Sequence, residues 1–162
     1  MERSFRLWVW WLAVLAVAAI VFGLSLVLIP GPMARLFGGL YLSDPGGIAA
    51  FGDGAESFIA FVSAVMGAVM AGWAAAILCL LALRFRPGQP DAWWVIAVSV
   101  LVWFIPDTAY SIRAGYWQNA VLNVGALVLF AVPLAATYPA SHARGAHPTG
   151  ASSRRDRVAG LK

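Results

Sequence analysis

No charge interrupts residues 7–29. As a helix rising ~1.5 Å per residue, that run is longer than the ~30 Å hydrocarbon core of a bilayer. Three more apolar runs follow, at residues 57–83, 92–112 and 116–138. Only 11% of the 162 residues are charged, against about 25% in a soluble domain. So few charges cannot coat a globule of this size, but they suffice where lipid solvates most of the surface. The pattern predicts an all-α, four-helix transmembrane bundle over residues 1–138. Residues 139–162 are polar and basic, lack apolar periodicity, and are expected to form a disordered tail.

Residues 1–6 look like the start of a signal peptide. The apolar run after them is longer than the 7–15 residues of such a segment, and no small-x-small cleavage site follows, so it reads as a retained helix. Pro30-Gly31-Pro32 ends that helix and opens a Gly-rich connection over residues 30–55. Within it, residues 33–42 are apolar apart from Arg35 and Tyr41. They are too short to span, and suit a helix lying at the interface or dipping back. Ser43-Asp44-Pro45-Gly46-Gly47 is turn chemistry. Helix 57–83 is longer than a perpendicular crossing needs, so it should tilt or project beyond the bilayer.

Orientation follows from the basic residues. With the N-terminus inside, the inner segments carry Arg3, Arg6, Arg84, Arg86, Arg144, Arg154, Arg155, Arg157 and Lys162, and the outer loops carry Arg35 and Arg113. The positive-inside rule then puts both termini in the cytoplasm and the Gly-rich loop outside. Trp8, Trp10, Trp11, Trp93, Trp94 and Tyr138 mark the inner ends of the helices, while Trp103, Tyr110, Tyr116 and Trp117 sit nearer the outer side. The net charge of +4 lies at helix ends and in the tail, where it reads as topology and lipid contact rather than nucleic-acid binding. All basic residues except Lys162 are arginine, and Ala and Gly abound. That usage suggests a bacterium, hence a multi-pass protein of the inner membrane.

Composition removes several chemistries. The single cysteine, Cys79, excludes an intrachain disulfide and a CxxC redox pair. The two histidines, His142 and His147, both fall in the polar tail. A bis-His haem between helices is therefore excluded, and a His-rich metal site finds no support.

Asp107 is the strongest candidate for function. A carboxylate about five residues, or ~8 Å, inside the outer end of a membrane helix should face the bundle interior or water. Asn119 and Asn123 lie one turn apart on the next helix, and Asn123 falls at the depth of Asp107. The short turn at Arg113-Ala114-Gly115 makes the two helices antiparallel neighbours, so an Asp107–Asn123 hydrogen bond is expected. Two roles stay open: a clamp on the hairpin, with Arg113 or water nearby, or a protonatable site in an outward pocket. Glu56, with Asp53, precedes the second long helix, where a carboxylate favours the helix N-terminus. The alternative for Glu56 is a pocket rim shared with Asp107.

The second long helix also carries two ladders of small residues at spacing four: Ala60, Ala64, Ala68, Gly72, Ala76, and Ser63, Gly67, Ala71, Ala75. Small residues let helix backbones approach closely in lipid. This helix is expected to be the central packing element, with a homodimer seam as the alternative. Ala16, Ala19 and Gly23 on the first helix carry a weaker form of the same signal.

Asp107-Thr-Ala-Tyr-Ser-Ile-Arg-Ala-Gly115, continuing to Asn123 and Pro133, and Val65-Met-Gly-Ala-Val-Met-Ala-Gly-Trp73 resemble small bacterial membrane proteins of the broad DoxX-like type. The resemblance covers most of residues 7–138. It implies a four-helix bundle and, in some members, a link to quinone-coupled oxidation of sulfur compounds; it transfers no catalytic residue. The expected function is a non-catalytic complex subunit or a small-ligand or lipid binder, with membrane lipids and a membrane-protein partner or second copy as its contacts. A quinone-linked oxidoreductase subunit, with quinone or lipid as bound molecule, and a small proton-coupled transporter using Asp107 are the alternatives. Four-helix multidrug transporters usually carry a Glu within helix one, and residues 7–29 hold no acid, which weighs against the last.

Overall fold

The structure is a computed structural model that describes residues 2–42 and 47–143. Five α-helices occur among these residues: α1 (Glu2–Leu28), α2 (Pro30–Tyr41), α3 (Asp53–Leu83), α4 (Pro90–Arg113) and α5 (Trp117–His142). A 3-10 turn, Gly47–Phe51, leads into α3. Helices α1, α3, α4 and α5 are each long and apolar enough to cross a membrane. The chain is thus a multi-pass helical membrane protein, with α2 as a short fifth helix.

The helices run further than the apolar runs that predict them. Helix α1 begins at Glu2 rather than residue 7 and takes in Arg3 and Arg6, because long basic side chains at a helix end can reach the headgroups. Pro30 does not simply stop α1. It occupies the first position of α2, where its missing N–H costs no intrahelical bond. The expected tail starts late: Pro139 lies inside α5, which continues to His142. The tail beyond residue 143, His147 included, and the turn at residues 43–46 lie outside the described residues. His142 is therefore not a tail residue. It stacks on Tyr138 with ring centroids 4.0 Å apart and meets Trp93 edge-on at 5.4 Å.

Across the bundle the order of packing is α3, α1, α5, α4. Helices α1 and α3 share the most extensive contact, and α4 pairs with α5. Helices α3 and α4 barely touch, although a short loop joins them; Trp73 and Trp103 bridge them, with ring centroids 6.2 Å apart. Trp103 thus packs into the bundle rather than in an aromatic belt. Leu12, Ala16, Ile77, Leu81, Ile96, Val100, Phe130 and Leu134 form the core.

The α1–α3 seam closes on glycine. A methyl group added to Gly23 would come within 2.5 Å of the Gly67 carbonyl oxygen, and one added to Gly67 would meet the Gly23 carbonyl and, at 2.6 Å, Leu26 Cβ. Only residues without Cβ allow backbones this close. The other ladder does not share the role. A methyl group added to its Gly72 would meet nothing within 4 Å, and Ala68, Gly72 and Ala76 are exposed.

Proline leaves a free carbonyl one turn back in a helix. Pro133 so frees Leu129, and the Trp11 indole N–H of α1 donates to the Leu129 carbonyl at 3.2 Å. A second indole, Trp93 on α4, donates to the Leu134 carbonyl at 2.8 Å. These contacts fasten α5 to both neighbours around Pro133.

Candidate functional site

Asp107 lies six residues, about 9 Å, before the end of α4. It is half-buried. Its Oδ1 accepts a 3.1 Å hydrogen bond from Asn119 Nδ2 of α5. The same amide donates to Ser111 Oγ at 2.8 Å. Ser111, one turn after Asp107, is buried and sends its own proton to the Asp107 backbone carbonyl at 2.7 Å. On the other side of the amide, Asn119 Oδ1 accepts from the Tyr41 hydroxyl at 3.0 Å. An asparagine amide has two N–H groups and one carbonyl oxygen, and here all three are engaged. The chain of bonds from Tyr41 through Asn119 to Asp107 and Ser111 joins α2, α5 and α4.

The expected Asp107–Asn123 bond is not formed. Buried Asn123 donates instead to Thr108 Oγ1 at 3.2 Å. Successive helical residues are rotated by ~100°. Thr108 therefore faces Asn123 across the hairpin, and Asp107 turns to the side where α2 arrives. Depth matching alone could not separate the two neighbours.

Tyr41 ends α2, which is held in several ways. Its ring stacks on Phe37 with centroids 5.8 Å apart and meets Tyr116 edge-on at 6.1 Å. Gly38 is buried beneath Ile48 of the 3-10 turn, where an added methyl would sit 2.7 Å from Ile48 Cγ1. Burial, and secondly the Asp107 carboxylate, raise the Tyr41 phenol above its ordinary value. Both effects keep the hydroxyl protonated and able to donate to Asn119.

Glu56 and Arg113 do not join this cluster. Glu56 lies in the first turn of α3 and approaches Arg35 of α2 at 3.9 Å. That pair is too exposed and too long to count for much. Arg113 is exposed in the last turn of α4, where a cation suits the helix C-terminus. Among the described residues neither forms a hydrogen bond or ion pair with Asp107.

Tyr41, Ser111 and Thr108 complete the site and were not singled out by sequence reasoning. Ser111 had a signal, its spacing of four from Asp107. Tyr41 had none, because its contact with Asn119 spans 78 positions of chain. Chemically, the cluster is a set of donors and acceptors already matched to one another. Ser111 Oγ also lies 3.4 Å from Asp107 Oδ1, and among the described residues no three His, Cys, Asp or Glu side chains group as metal ligands. Compared with family models, curated proteins and solved structures, the chain matches none.

Proposed function

We propose that this chain is a non-catalytic subunit of a bacterial inner-membrane complex, with both termini in the cytoplasm and α2 at the outer face. The observation that carries the reading is how the cluster around Asp107 spends its hydrogen bonds. Asn119 engages both N–H groups and its carbonyl, Ser111 bonds the Asp107 backbone carbonyl and lies near its carboxylate, and Tyr41 is kept as a donor. The Asp107 carboxylate thereby acts as a clamp between α4 and α5, to which Tyr41 ties the end of α2. The likeness to the broad DoxX-like type supports a small accessory component, and the positive-inside count supports the orientation.

One observation favours a second reading, a small proton-coupled transporter or ligand binder. Only Oδ1 of Asp107 is engaged by side chains among the described residues, which leaves Oδ2 open to a proton or a ligand donor.

Gentle extraction of the tagged chain from its native membrane, followed by native mass spectrometry, tests the choice. The subunit reading expects a stoichiometric assembly with another membrane protein. A lone chain releasing a quinone or other small molecule would overturn it. Reporters fused after Lys162 and within residues 43–54 test the orientation. Cytoplasmic and external signals, respectively, are expected, and an external C-terminal signal would break the four-crossing arrangement.

A further inference from the structure

Two open hollows among the described residues lie far from Asp107, at the end that carries the N-terminus and the α3–α4 loop. One is lined by Arg3, Ser4, Arg6, Leu7 and Trp10. The other shares Arg6 and Trp10 with it and is otherwise apolar, with Phe5 stacked on Phe85 at 5.7 Å between ring centroids. Arg6 and Trp10 form the ridge between a polar hollow and an apolar one. Among the described side chains, the lining of the first hollow holds two arginines and no acid.

The surface continues in one direction. Leu7, Trp10, Val14, Val17 and Val21 follow at alternating steps of three and four along α1, and all are exposed, Trp10 at 71%. The candidate span Arg3–Leu28 opens on Arg3 and Arg6, and basic side chains at the end of a membrane helix reach the headgroups. Residues 7–17 cover ~15 Å of helix, about half of the hydrocarbon core and thus one leaflet.

We infer that this face of α1 is a binding site for one anionic phospholipid. Its phosphate lies in the hollow of Arg3, Ser4 and Arg6, where two guanidinium groups and a hydroxyl donate. Its glycerol region rests against Trp10, a side chain suited to that depth. An acyl chain runs along Val14 and Val17. Charge, interfacial aromatic and apolar track occur in the order in which such a lipid presents phosphate, glycerol and hydrocarbon. The inference needs only a membrane-embedded α1 and stands apart from the subunit reading.

The test is native mass spectrometry of the full-length chain in mild detergent with phosphatidylglycerol and phosphatidylcholine added in equal amounts. Preferential retention of a single phosphatidylglycerol is expected. The exposed pair Arg3→Gln and Arg6→Gln should lower that preference on the order of 30-fold, from the typical contribution of two basic residues at a membrane surface. Arg154→Gln, Arg155→Gln and Arg157→Gln together should leave it unchanged. Equal retention of the two lipids, equal loss in the tail variant, displacement by excess inorganic phosphate, or a lipid-excluding dimer formed through α1 would each overturn the inference. Unaltered thermal unfolding of the α1 variant separates loss of the site from loss of the fold.

Discussion

The two sides of this bundle are held by different physics. Helices α1 and α3 meet through the absence of side chains: Gly23 and Gly67 bring backbone against backbone, and dispersion over a long contact does the rest. Helices α4 and α5 meet through polar side chains near their linked ends, and Tyr41, at the end of an α2 that packs chiefly on α3, reaches into that cluster. The first seam tolerates no added atom at its crossing. The second tolerates changes of size better than changes of hydrogen-bonding character. Lipid does not squeeze helices together as water does, so a membrane bundle can rely on either device, and this chain uses one on each side.

Gly67→Leu tests the contrast at its largest effect. Overpacking costs ~1–3 kcal/mol in a side-chain core. Here the clash is with the Gly23 backbone, so the loss should reach or pass the top of that range and be seen as failed folding or a large drop in thermal stability in detergent. Gly72→Leu on the same helix should stay near wild type, since open space surrounds Gly72. Similar behaviour of the two variants would end the steric account of the α1–α3 seam.

Asp107 supplies the counterpart. Asp107→Asn keeps an acceptor for the Asn119 amide and should unfold near the wild-type temperature. Asp107→Leu removes it and should cost ~0.6–2 kcal/mol, the range for intramembrane hydrogen bonds. A variant series that followed side-chain volume rather than acceptor capacity would show that the polar side, too, is held by packing.

Tyr41→Phe should be milder, about 1 kcal/mol for one hydrogen bond, and carries a pH signature. The folded phenol holds its proton above the ordinary value. Its contribution is therefore complete below about pH 10, where the unfolded tyrosine titrates. It is lost as pH rises through the higher folded value, because the folded state then binds protons that the unfolded state has released. Stability measured upward from pH 9 should fall more steeply for wild type than for Tyr41→Phe. Parallel curves would remove Tyr41 from the network.

Trp11→Phe should have the smallest effect, about 0.6 kcal/mol, the average for such bonds in a membrane protein. It deprives the Leu129 carbonyl, already without its helical partner because of Pro133, of the Trp11 donor. The double variant with Pro133→Ala should recover the loss, since alanine restores a backbone N–H. Absence of recovery would show that the indole works by packing alone.

Length and charge distribution by themselves determined that the chain carries four helices able to cross a membrane, since a long run without charge has few other environments open to it. They also marked Asp107, whose cost in lipid makes it conspicuous, and the small residues of α1 and α3. Helix ends were less legible. Arg3, Arg6 and Pro139 look like boundaries in composition, yet a helix persists wherever its backbone bonds can close. Which ladder touches α1, and whether Asn119 or Asn123 reaches Asp107, depends on helix rotation, and the four long helices are apolar nearly all round. Only the tertiary structure decided that Gly67 rather than Gly72 meets a neighbour, and that Tyr41, 78 positions away from Asn119, completes the polar cluster. Such contacts arise from how helices turn and lean against one another, and no local pattern of residues encodes that.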